Sequence, residues 1–233
     1  MTPAANEGKS LEITVDGVRY QRIPIKTRVF FDGDDLSALV TGYAGELVRD
    51  GDILFVTEKI VAISQGRSYP VSSITPRPLA VTLARYVTKT PYGIGLGMPE
   101  TMEMALRECG TPRILLAALV AALTKPLGRR GDFYRVAGPM ARGIDGPTSG
   151  TIPPYNSQVV LSPLKPRAVA NDLKRALGKD VEVHIVDIND IGGNILGSTA
   201  GPASERTMVS ILRDNPLGQG HQSTPMGIVR RID

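Results

Sequence analysis

The chain has 233 residues, of which 42% are hydrophobic and 21% charged, with a net charge of +4 and no Trp. A chain of this size buries a full core without staples, either as one large domain or as two lobes, and its composition excludes an intrinsically disordered protein. The basic residues are scattered apart from one cluster at 125–130, which argues against a nucleic-acid partner. The single Cys109 excludes an internal disulfide framework and points to a reducing, cytoplasmic setting.

Residues 1–10 are small and polar with no apolar run, so they read as a flexible tail rather than a signal or an anchor. From Leu11 to Tyr20, apolar and polar positions alternate around Asp16-Gly17, which predicts a β-hairpin with a type I′ turn. Asp34-Asp35-Leu36 opens an amphipathic helix expected to reach Val48, with its acids placed to cap the N-terminus. Ile53 to Val56 reads as a short buried strand. Helices are predicted over 78–87, 99–107 and 111–124, the first two with Pro in the first turn. Within the third, Ile114 to Leu123 is too short to span a bilayer; it reads as a core helix, and no membrane partner is expected. Residues 138–155 have a loop composition rich in Gly, Pro, Ser and Thr. Strands at 158–161, 181–186 and 226–229 and a helix at 166–177 complete the pattern, giving one domain over 11–233.

Three loop regions concentrate polar residues that are hard to explain as solvated surface. The apolar run from Val181 ends in Asp187-Ile188-Asn189-Asp190 before Gly192-Gly193. α/β proteins place metal and phosphate chemistry at such strand ends, although a lone Asp there also serves to cap a turn. Arg142 to Thr148 contains Asp145, and Asn215 to Pro225 contains Gln219 and His221. Asp145, Asp187, Asn189 and Gln219 offer the hard oxygen donors that Mg²⁺ or Mn²⁺ takes, though spacing alone does not show that they meet. His184, inside the strand, reads as a core histidine, and Cys109 as a structural thiol. Lys125, Arg129 and Arg130 read as a solvated helix terminus. The glycine-rich stretch Tyr92 to Gly97 lacks the dinucleotide spacing and reads as a connection.

Taken in order, these segments resemble the γ-glutamyl ligases that add glutamate to the deazaflavin coenzyme F-420, from about Ile23 to Arg230. Gly33-Asp34-Asp35-Leu36 is similar to the first helix of that family, and Gly51-Asp52-Ile53-Leu54-Phe55-Val56 through Gln65-Gly66-Arg67 to its strand and the turn leading to Glu-Gly-Arg. Gly143-Ile144-Asp145 resembles the Ala-Gly-Ile-Asp metal motif and Asp187-Ile188-Asn189 the Asp-Thr-x-Gly motif. Leu217-Gly218-Gln219-Gly220 with Thr224-Pro225 resembles the Gly-Glu segment that ends in Ile-Pro.

The resemblance implies an α+β, two-lobed subunit in an intertwined homodimer, with the active site near the subunit interface. It implies amide formation driven by GTP (or ATP) with Mg²⁺ or Mn²⁺. A small-molecule carboxylate would become an acyl phosphate and be captured by an amino acid, L-glutamate being the first candidate. On this reading Asp145, Asp187 and Gln219 hold the metal, and Asp187 and Asn189 act at the reaction centre. Lys59, Arg67, Thr148 and His221 contact nucleotide or substrate. The chain departs from the family at Ile63, where Lys is usual, at Gln219, where Glu is usual, and after Asp187, where a Thr and a Gly-Arg-Pro stretch are missing. These departures define the alternative: an inactive relative that binds a small molecule as a regulatory dimer.

Overall fold

The computed structural model describes residues 4–87, 94–129, 131–189, 192–218 and 222–232. The first elements are β1 (Glu12–Val15), β2 (Val18–Ile25), α1 (Leu36–Ala44), β3 (Ile53–Thr57), α2 (Glu58–Ser64), β4 (Ser68–Pro70), α3 (Pro78–Ala84), α4 (Pro99–Cys109) and α5 (Thr111–Thr124). They are followed by α6 (Asp132–Ala137), α7 (Pro139–Arg142), β5 (Gln158–Val160), α8 (Pro166–Leu177), β6 (Glu182–Asn189), β7 (Gly192–Ser198), α9 (Pro202–Ile211) and β8 (Met226–Ile232). The fold is mixed α/β, and the chain divides into two compact units, Met1–Gly66 with Pro163–Asp233, and Arg67–Ser162.

The first unit is built on a six-stranded sheet, in the order β1-β2-β8-β3-β6-β7. Only β3 and β6 pair in parallel; the other neighbours are antiparallel. The predicted hairpin is present, with Asp16 at φ 50° and Gly17 at φ 78°, the left-handed pair that a type I′ turn requires. Asp35 caps α1 by accepting from the Ala38 N–H at 2.9 Å. Asp34 does not cap the helix. It accepts from both Nη atoms of Arg28 at 2.8 Å and from the Phe31 N–H at 2.7 Å, and the Arg28 guanidinium holds its carboxyl below the usual range.

α1 also stops short of the expected Val48. The Lys179 ammonium donates to the carbonyls of Gly45 (2.7 Å) and Val48 (2.5 Å), so a cation from elsewhere in the chain terminates the helix. α9 lies on one face of the sheet, where Phe55, Val186, Met208, Ile211, Leu212, Leu217 and Val229 form a buried cluster. α8 packs on β6 and β7 and against α1.

The second unit is helical, with a β4–β5 ladder, and buries Ile74, Ala80, Leu96, Met102, Leu106, Ile114, Ala117, Ile144 and Leu161 in one core. Glu103 is buried on α4 and accepts from the Nε atoms of Arg77 and Arg107. Burial alone would raise its pKa, but the two guanidiniums lower it on balance. Asp132 at the start of α6 is held down to about 2 by Arg129, helped by Thr124 and Arg135.

α5 corrects the reading of Ile114 to Leu123 as a core helix. Only Ile114 and Ala117 are buried on α5, whereas Leu115, Leu116, Leu119, Leu123 and Leu127 run along the outside, from 43% exposed at Leu115 to 77% at Leu127. Among the described residues, no helix is long and apolar enough to cross a membrane.

Candidate functional site

β6 explains how an acidic group is delivered to an edge. Its residues Val183 to Val186 are buried and pair in parallel with β3 as far as Val186↔Thr57. There β3 turns directly into α2. Asp187 is therefore the first residue past the C-terminal end of the parallel pair. The sequence reading ended the strand at this point, but β6 continues to Asn189 because β7 still supplies a ladder, with Asp187↔Asn194 and Asn189↔Gly192. The period of two puts Asp187 and Asn189 on the face opposite to Val186 and Ile188, which pack into the α9-side cluster. A shallow, open pocket of about 270 Å³ lies here, lined by Asp187, Asn189, Gly192, Gly193 and Asn194.

Two further segments reach the same edge of the first unit. Lys59 is the second residue of α2. Residues 222–225 enter β8 beside the end of β3, with the Thr57 N–H donating to the Pro225 carbonyl at 2.9 Å. Gln219 and His221 precede them in sequence but lie outside the described residues, as do Asp190 and Ile191. Ile63, one helical turn beyond Lys59, is buried in the core. The position where the resembled family has Lys is thus a packing position in this chain, and a charge there would have to be desolvated.

Arg67, Asp145 and Thr148 belong to the second unit. Asp145 is fixed by its backbone: its N–H donates to the Val160 carbonyl at 2.8 Å, and its carbonyl accepts from the Val160 N–H at 3.0 Å, extending the β4–β5 ladder. The Thr148 hydroxyl meets that of Thr151 at 2.8 Å. Arg67 is buried, with Nε donating to the Ser162 carbonyl at 2.6 Å and Nη2 paired with Glu108. Among the described residues, no group of three or more His, Cys, Asp or Glu side chains is arranged to hold a metal ion.

His184 lies on β6 itself, three residues before Asp187, and is fully buried. Its Nε2 lies 3.4 Å from Glu182 Oε2, and its Nδ1 finds no hydrogen-bond partner among the described residues. Burial pushes its pKa down, while Glu182 and Glu205 oppose the shift. Asn194, which faces Asp187 across the ladder, stands out in the sequence as one of the polar groups near Asp187 but is given no site role there. Its glycine-flanked segment reads locally as loop, and the signal that reveals it is the partner strand.

The family model described as F420-0:Gamma-glutamyl ligase matches residues 24–197, well over half of the chain. The chain belongs to this family. The matched stretch of this γ-glutamyl ligase relative contains Lys59, Arg67, Asp145, Thr148, Asp187 and Asn189, and ends before Gln219 and His221. Membership supports a ligase-type reaction in general. No curated protein matches the chain.

Proposed function

We propose that this γ-glutamyl ligase relative is a nucleotide- and metal-dependent amide ligase that joins an amino acid, first of all L-glutamate, to a small-molecule carboxylate. The observation that carries the reading is the edge at the end of β3 and β6. There Asp187, Asn189 and Asn194 line an open pocket together with Gly192 and Gly193, and Lys59 is the second residue of the helix after β3.

The substrate carboxylate would attack the γ-phosphorus of GTP or ATP. The bond to the β-phosphate oxygen breaks, the nucleoside diphosphate leaves, and an acyl phosphate remains. The amine nitrogen then attacks the acyl carbon, phosphate departs with the bonding pair, and the amine proton is lost to a base. One carboxylate and two amide oxygens fit the sparse donor set that Mg²⁺ takes when substrate phosphates complete its shell. Asp187 is the proposed metal ligand in the first unit, with Asn189 orienting it at the reaction centre. Asp145 is the proposed ligand in the second unit, and Gln219 is proposed as a further ligand. When bound, the metal supplies charge neutralisation on the phosphoryl oxygens. Lys59 is the leading cation for the phosphates; Arg67, Thr148 and His221 are proposed contacts to nucleotide or substrate.

A homodimer in the cytoplasm is part of the proposal. The exposed leucines of α5 present on the order of 400 Å² of apolar surface, about half of the ~800 Å² that each partner of a standard interface buries. A second copy of this chain is the occupant proposed for that face.

The buried Ile63 favours a second reading, a non-catalytic dimer that keeps the pocket for a small molecule. Calorimetric titration of GTP and ATP with and without Mn²⁺, repeated on Asp187→Asn, separates the two. Metal-dependent nucleotide binding that is lost in the variant supports the ligase. No nucleotide binding under any metal condition removes the ligase reading and leaves the binding dimer.

A further inference from the structure

The strands that line the pocket bring no cation of their own: between Lys179 and Arg206 the sequence holds neither Lys nor Arg. Phosphates at this edge need positive charge from another element, and the register of the sheet shows which one. Ile185 pairs with Gly197 and Asp187 with Asn194, two residues apart on β6 but three on β7, where Leu196 is the extra residue of a bulge. Paired residues share a face, so Gly197 opens onto the same face as Asp187 and Asn194.

The first turn of α8 lies on that face, since a Cβ on Gly197 would stand 2.4 Å from the Arg167 nitrogen. α8 packs on β6 and β7 and returns to the start of β6 through residues 178–181 alone, so it runs antiparallel to β6 and begins toward the pocket end. The Asp187–Asn194 pair is two β6 residues beyond Gly197, about 7 Å along the sheet, a distance that an extended arginine side chain spans. The turn before the helix is held in place by Gln65, whose carboxamide donates from Nε2 to the Leu164 carbonyl (3.0 Å) and accepts at Oε1 from the Leu164 N–H (2.7 Å). Lys165 follows at φ 47°, a left-handed conformation that Gly or Asn adopts more readily.

The basic residues at the other end of α8 are engaged: Lys174 lies 3.6 Å from Asp180, Arg175 is paired with Asp172, and Lys179 holds the Gly45 and Val48 carbonyls. Lys165 and Arg167 are exposed, and among the described residues their side chains have no hydrogen bond or ion pair. We propose that Arg167 and Lys165 contact the phosphate chain of the nucleotide at the Asp187 pocket, supplying from α8 the positive charge that the buried Ile63 does not. The identity of the anion rests on the ligase reading. The planar guanidinium suits two oxygens of one phosphate, and the lysine ammonium acts as a point charge beside it. Lys165→Gly separates binding from folding, because it removes the cation while relieving the backbone.

The test is calorimetric titration of Mn²⁺–GTP and of Mn²⁺–tripolyphosphate into the full-length chain and its Arg167→Gln, Lys165→Gly and Lys174→Gln variants, with Tm measured on each. The expected result is affinity for both probes about fivefold weaker in Arg167→Gln and in Lys165→Gly, with a shallower dependence on salt, wild-type affinity in Lys174→Gln, and Tm unchanged or raised. If GTP binds and neither Arg167→Gln nor Lys165→Gly weakens it, the proposal is overturned and the ligase reading stands. Equal weakening in Lys174→Gln also overturns it, since any cation on the helix would then serve. Weakening in only one of the two variants overturns the assignment of the other residue. Tripolyphosphate binding that depends on Arg167 in a chain that does not bind GTP keeps the phosphate contact and removes the ligase reading, and binding of neither probe overturns both.

Discussion

Gly197 on β7 is where the first unit is least able to accept a side chain. It pairs with Ile185 on β6, and a Cβ built there would stand 2.4 Å from both the Arg167 nitrogen and the Pro166 carbonyl carbon, and 2.7 Å from the Pro166 oxygen. All three atoms are backbone at the start of α8, so no flexible side chain can yield. The helix or the strand must move. Overpacking of a tight interior costs about 1–3 kcal/mol, and rigid neighbours place Gly197→Ala at the upper end, about 3 kcal/mol. Gly42 is the matched control. It lies exposed inside α1, nothing approaches its Cβ position within 4 Å, and Ala there should stabilise by about 0.5–1 kcal/mol through helix propensity. Urea unfolding followed by far-ultraviolet circular dichroism measures both as shifts in midpoint at constant slope. Because β7 is the strand that extends β6 through Asp187, Gly197→Ala should also accelerate exchange in peptides of β6 and β7. A Gly197→Ala protein within about 0.5 kcal/mol of wild type would refute the argument, since it would mean that α8 is free to lift off the strand.

Two more predictions bear on assembly and pH. Leu119→Glu combined with Leu123→Glu places two charges on the exposed face of α5 and should convert a dimer to monomer in sedimentation velocity, with the circular dichroism spectrum unchanged; a variant that remains dimeric removes α5 from the interface. His184 has a folded pKa below its ordinary value of about 6.5, because burial disfavours its cation. The stability it contributes is present above pH 6.5 and is lost as pH falls toward the folded value, at up to about 1.4 kcal/mol per pH unit. Asp34, Glu103, Asp132 and Asp214 are also lowered, but as carboxylates they lose their contributions only below about pH 4, so the windows separate. Urea midpoints of wild type and His184→Leu between pH 7 and 5.5 should diverge in slope, the variant being flatter; parallel curves would mean that the imidazole does not titrate differently in the folded chain.

Features set by neighbouring residues were legible in the sequence. The β1–β2 hairpin follows from Asp16-Gly17, since few other pairs accept two successive left-handed residues, and Pro at the first turn marks α3 and α4 because its missing N–H is an orphan there anyway. The acidic end of β6 was visible too, as an apolar run that stops at Asp187. The sequence did not contain β7, because Gly192 to Ser198 has little strand preference of its own and is held by hydrogen bonds from β6, a partner that only the folded chain supplies. α9 was missed for a related reason: its apolar stripe acquires meaning from the sheet face that it covers. The leucines of α5 went astray in the opposite direction, since hydrophobicity says what prefers to be buried and not which side of a helix meets the core. The tertiary structure likewise decided that Ile63 is a packing residue and that Asn6 meets Leu217 and Thr224 across almost the whole length of the chain. Local dihedral preferences act over a few residues and can be read in order. Burial and strand pairing depend on neighbours that the sequence places far apart, and they are settled only when the sheet and its helices come together.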